Sequence, residues 1–242
     1  LVTLKNIYSG MFATYARFGW APSAHDPAIA DRPVLDRWIL SRLASVEKRV
    51  DAMMLAYDVT GASRALVEFV DGDVANWYVR QSRKRFYEVD ESDNRAAFAT
   101  LHEVLTVVCR LLAPVAPFVT DWMHRELTGE SVHLAPYVRP LVGRAAIDSG
   151  LEMAMAAVRE LARLGRGARE QAGVPVRQPL ARMVCVAPGV SERALAPLLP
   201  ILAAELNIKV IELASSGDAR VTLEANPNFR AVGRKFGKKT PL

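Results

Sequence analysis

The chain has 242 residues, 51% apolar, 24% charged and 7% aromatic, with a net charge of +5. That is an ordinary globular composition for one large domain or two modest ones, with no apolar run near the ~18 residues of a membrane span and no opening signal segment. Only two cysteines occur, Cys109 and Cys185. They exclude a disulfide framework and a four-cysteine zinc site, and they favour a reducing, cytosolic compartment.

The charge is uneven. Residues 1–140 carry 16 basic and 17 acidic side chains, whereas 141–242 carry 15 and 9. The densest run is Arg230, Arg234, Lys235, Lys238 and Lys239, with no acid among them. A second cluster is Arg80, Arg83, Lys84 and Arg85. Such clusters suit a polyanionic partner, because neutralising phosphates releases counterions. The plainer reading is a solvated helix face and a frayed basic tail.

In chain order, Leu4, Ile7, Tyr8, Met11, Phe12, Tyr15 and Phe18 recur every three or four residues and predict a first helix. The stripe is already running at Leu1, so the chain reads as a piece of something longer. Asp31 and Pro33 form a helix-start signal, followed by an apolar face of Leu35, Trp38, Ile39, Leu43, Val46, Val50 and Met53. Asp58 is the expected N-cap of a third helix bearing Leu66, Phe69, Val70, Val74 and Trp77. A fourth starts near Ser92 with Phe98, Leu101, Leu105, Val108 and Leu112. A fifth opens at Pro117, carries Val119, Trp122, Met123 and Leu127, and stops at Gly129. Five amphipathic helices with short connections predict an antiparallel bundle over residues 1–140.

Residues 141–242 read as a small α+β unit. Ser149-x-x-Glu152 resembles a capping box ahead of a helix to Gln171. Strands are expected at Met183–Val186, Ile208–Leu213 and Arg220–Glu224, with a helix at 191–206 and a turn at Ser216-Gly217-Asp218.

Self-contained catalytic chemistry is not visible. The four histidines lack zinc spacing with the cysteines, and no glycine-rich phosphate loop or nucleophile elbow occurs. Cys109 reads as a structural thiol, Asp71 and Asp73 as a solvated face, and Arg163-Leu164-Gly165-Arg166-Gly167 as a packing site. The unusual stretch is Asn76-Trp77-Tyr78-Val79-Arg80-Gln81-Ser82-Arg83-Lys84-Arg85-Phe86-Tyr87. Trp77 and Tyr78 close an apolar stripe. On a straight α-helix Lys84 falls in line with Trp77, so the helix is expected to project beyond the core and present its cations. Cations beside Tyr87 suit an unpaired RNA loop, which they hold by phosphate contact and stacking. The alternative has the same cations salt-bridged to Glu88, Asp90 and Glu91.

That stretch, with Asp36-Arg37-Trp38-Ile39-Leu40, Leu112-Ala113-Pro114-x-x-Pro117-Phe118, Val176-Arg177-Gln178-Pro179-Leu180, Glu205-Leu206-Asn207 and Asn228-Phe229-Arg230, resembles the anticodon-binding helical domain of the isoleucyl branch of class I aminoacyl-tRNA synthetases. One departure is Tyr87, where the family usually has tryptophan. The resemblance implies a fragment that binds the tRNA anticodon stem-loop and cannot aminoacylate alone. ATP and Mg would serve a catalytic domain outside these residues, the fragment would need no cofactor or metal, and the protein would be a monomer. Candidate RNA contacts are then Arg80, Arg83, Lys84, Arg85 and Tyr87, with Arg177, Gln178, Arg230, Arg234 and Lys235 as a second region. The competing function is a helical protein-interaction module that docks through the stripe of the first helix.

Overall fold

The computed structural model describes residues 1–16, 20–87, 91–137 and 146–214. Helix α1 covers residues 2–16 and widens into a π-helical segment at Ile7–Phe12. Helix α2 is Val34–Leu55. Helix α3 is one run of changing pitch: α-helical at Val59–Glu68, π-helical at Phe69–Val79, α-helical at Arg80–Ser82 and 3-10 at Arg83–Phe86. Helices α4 (Glu91–Leu112) and α5 (Pro117–Thr128) complete the bundle. Beyond it lie α6 (Ser149–Gln171), β1 (Leu180–Cys185), the helical run α7 (192–206) and β2 (Ile208–Leu213). The expected strand at Arg220–Glu224 and the boundary at 140 lie outside the described residues.

The chain is thus mostly α, a helix bundle followed by a small α+β unit. Trp38, Ile39, Leu40 and Leu43 of α2 meet Leu66, Phe69 and Tyr78 of α3 and Phe98, Leu101, Leu105 and Val108 of α4 in the core. The same apolar cluster continues into Ala154, Met155 and Val158 of α6 and Leu198, Leu202 and Leu206 of α7. Strands β1 and β2 pair in parallel, from Leu180 opposite Ile208 to Cys185 opposite Leu213. A parallel pair needs a crossover, and α7 supplies it. Gly165 lets α6 and α7 approach, since a Cβ there would lie 2.5 Å from Leu206 Cδ1.

Local signals held where they act within a few residues. Asp58 caps α3 by accepting from Gly61 N at 2.8 Å, and Gly129 ends α5 at φ 80°. Others were displaced by longer-range partners. No side chain caps α2; Asp31 lies in a separate 3-10 turn, Ile29–Asp31. Helix α6 is capped by Asp148, which accepts from Leu151 N at 2.9 Å. Glu152, the presumed partner in a capping box, instead reaches across to α2 and accepts from Ser41 Oγ at 2.5 Å and Ser45 Oγ at 2.8 Å. Trp122 is 43% exposed, edge-on to Tyr8, rather than central to a buried face. The apolar stripe of α1 is not a free docking face either. Leu4, Ile7, Tyr8, Met11 and Phe12 are buried against this chain's own core.

Cys109 is fully buried and its thiol is pushed up to about 12 by burial, which suits a packing role. His102 gives a pH-dependent element. Burial lowers its pKa, while its Nε2–H donates to Leu127 O at 3.0 Å and opposes that shift. A group depressed in the folded state supplies stability that is full above its unfolded value near ~6.5 and is lost as pH falls from there through the folded pKa. Acidifying from pH 7.5 to 5 is therefore expected to lower the melting temperature of the wild type by more than that of His102→Gln. Parallel melting-temperature profiles would contradict this.

Candidate nucleic-acid interface

The π-helical part of α3 sets the site. Its buried residues are Phe69, Val70, Asp73, Val74, Trp77 and Tyr78, three pairs spaced four residues apart. That repeat is longer than the 3.6 residues of an α-helix, and the wider i→i+5 turn keeps all six on one side. Asp73 is thereby drawn in with Phe69 and Trp77. It is buried, not solvated, and it pairs with Arg42 at 3.2 Å and with Arg159 of α6.

The changes of pitch also withdraw one cation, Arg85, from the expected cationic tip, while Arg80, Arg83 and Lys84 stay exposed. Trp77 and Tyr78 are core residues, and the final 3-10 turn folds Phe86 and Arg85 inward. Arg85 is 15% exposed and grips Asp36, which is fully buried, with two hydrogen bonds of 2.7 Å. It also donates to Asp93 Oδ1 at 2.8 Å. Tyr78 Oη donates to Asp36 Oδ1 at 2.8 Å, and burial followed by the Asp36 charge raises the tyrosine pKa. Burial opposes the Arg85 charge, but bonding and attraction from Asp36 outweigh it and its pKa rises. Arg85 is a structural residue and leaves the candidate set. A helical wheel of constant pitch could not show this.

Of the other candidates, Arg83 and Lys84 are exposed, and Arg83 Nε donates to the half-exposed Tyr87 Oη at 3.1 Å. Arg177 and Gln178 are exposed on the link between α6 and β1. Arg169 and Asn207 hold that link by donating to its carbonyls: Arg169 to Pro175 O at 2.7 Å, Asn207 to Arg177 O at 3.0 Å. Arg230, Arg234 and Lys235 lie outside the described residues.

Arg80 enters a different constellation. A groove of about 510 Å³ runs between α3 and α6, lined by Gly72, Asn76, Trp77 and Arg80 on one side and by Arg159, Arg163 and Arg166 on the other. The α6 arginines stand at i, i+4 and i+7, hence on one helix face, while Met155, Val158 and Ala162 bury the adjoining one. Trp77 carries a guanidinium on each of two approaches: Arg80 Cζ lies 6.0 Å and Arg159 Cζ 5.6 Å from its ring centroid. Three carboxylates share these four arginines. Asp73 pairs with Arg159, Glu160 with Arg163 at 2.5 Å, and Glu205 with both Arg80 and Arg166. The surplus positive charge therefore sits where two guanidinium groups share the single carboxylate of Glu205. Arginines 159, 163 and 166 were missed from the sequence because acids and glycines interrupt them; their i, i+4, i+7 spacing was the available signal.

A groove lined by four guanidinium groups can hold a phosphodiester chain. It has no nucleophile–base pair, and among the described residues no group of three His, Cys, Asp or Glu side chains is placed to hold a metal ion. No described helix is long and apolar enough to cross a membrane.

Residues 36–184 match the family described as the anticodon-binding domain of tRNA ligase. Along 93% of its length the chain is 44% identical to an isoleucine–tRNA ligase of Streptomyces avermitilis. It is 45% identical along its whole length to that of Thermobifida fusca, and 37% along 99% to that of Thermus thermophilus. It spans only 22–24% of the length of these relatives. With the helix bundle and more than half of the sequence matched, the chain belongs to the family of tRNA-ligase anticodon-binding domains.

Proposed function

We propose that the chain is the anticodon-arm binding module of an ATP-dependent isoleucine–tRNA ligase that works as a cytoplasmic monomer. The observation that carries this reading is the groove between α3 and α6, lined by the guanidinium groups of Arg80, Arg159, Arg163 and Arg166. The names of its relatives supply isoleucine as the amino acid. Phosphate contacts fix the register of the RNA, and base contacts read the anticodon. ATP and Mg act in a catalytic part outside these residues, so the module by itself does not aminoacylate. Its partners are the tRNA and that catalytic part.

The test is fluorescence anisotropy with RNA hairpins carrying an isoleucine anticodon or a scrambled one. The cognate hairpin is expected to bind more tightly, and its affinity should fall steeply with added salt. Equal binding of both hairpins, or affinity indifferent to salt, would contradict the proposal. A second reading, an apolar docking module, draws on Phe118 and Leu134, which remain almost wholly exposed. It predicts the salt-indifferent result with a protein partner.

A further inference from the structure

Glu205 lies on α7, in the α+β unit, and its carboxylate joins α6 to helix α3 of the bundle. Oε1 accepts from Arg80 at 2.5 Å and from Arg166, and Oε2 accepts from the Gln81 amide. Its side chain is 5% exposed, whereas that of Arg80 is 50% exposed. Arg80 Nε is held as well, by Asn76 O at 3.1 Å. A guanidinium carries five N–H donors in a rigid fork. Arg80 and Arg166 therefore keep donors to spare after satisfying Glu205, and both line the groove.

Resting on the function proposed above, we infer that Glu205 is a positioning residue for RNA binding: it holds Arg80 of the bundle and Arg166 of α6 together on one phosphate-sized site. Two long flexible side chains lose much rotamer freedom when they grip a ligand. A buried anion between them has already fixed both, so the ligand need not order them. The expected effect has the opposite sign to simple electrostatics. Removing a negative charge beside an RNA site should strengthen binding by simple attraction, whereas removing Glu205 should weaken it by letting the two arginines separate.

The experiment compares wild type, Glu205→Gln and Glu205→Asp of the 242-residue chain against the isoleucine-anticodon hairpin over a salt series, with circular dichroism to confirm folding. Glu205→Gln is expected to bind about tenfold more weakly although its net charge rises by one, a loss on the scale of one charge-assisted contact. Glu205→Asp, which keeps the charge on a shorter arm, should lie between it and wild type. Unchanged or tighter binding by a folded Glu205→Gln would overturn the inference and leave the tRNA reading standing. Failure of the wild type to bind any hairpin would overturn the function itself and this role with it. Should both variants unfold, the wild type decides. The Arg80 and Arg166 Nε–H signals in a nitrogen–proton NMR titration must shift together with RNA, and two unshifted signals at saturation refute the role.

Discussion

Arg85→Ala is expected to cost the fold about 3–5 kcal/mol, because it strands the fully buried Asp36 carboxylate without its counter-charge. For a chain of this size that corresponds to a fall in melting temperature of roughly 6–20 °C. Tyr78 Oη would remain as a donor to Asp36, but a single neutral hydrogen bond does not replace two charge-assisted ones. Replacing both members by apolar residues, Asp36→Leu with Arg85→Leu, should recover part of the loss, since a buried pair is often worth little beyond its own desolvation. Calorimetry of the two proteins checks this. An Arg85→Ala protein that melts with wild type would return Arg85 to the solvent-facing set.

The second large effect falls on RNA binding. Arg163 and Arg166 lie on the open side of the groove, and neither holds a fully buried acid by itself: Glu160 is exposed, and Glu205 keeps Arg80 and Gln81. Arg163→Ala with Arg166→Ala should therefore leave the fold intact. At about 1 kcal/mol per phosphate contact, the pair should weaken hairpin binding roughly 30-fold. The slope of log affinity against log salt should flatten by ~1.4–1.8. Arg125→Ala, an exposed arginine on α5 paired with Asp121 at 2.8 Å, is the control and should change neither quantity. Equal losses for both proteins would mean that net charge, not the groove, holds the RNA.

The bundle was legible because its helices bury regular stripes: Trp38 to Val50 and Phe98 to Leu112 are core positions as their spacing required. The β2 strand was legible from its run of alternating residue types, although Val210 is exposed. The site was legible only in part. Of the candidates read from the sequence Arg80 lines the groove, whereas Arg85, five residues on, is folded inward, and nothing local distinguishes the two arginines. What separates them is a π segment followed by a 3-10 turn, which rotates successive side chains by amounts a uniform 100° step misplaces. Asp36, Glu152 and Glu205 tell the same story from the acidic side. Each engages a partner more than 40 positions away, and such pairings follow from the packing of helices, not from spacing along one of them.

The most direct test is a structure of the chain bound to an isoleucine-anticodon hairpin. Phosphate oxygens should lie within about 2.7–3.2 Å of guanidinium nitrogens of Arg80, Arg163 or Arg166, in the groove beside Trp77. An RNA seated on another face of the bundle, with that groove left open, would contradict the account.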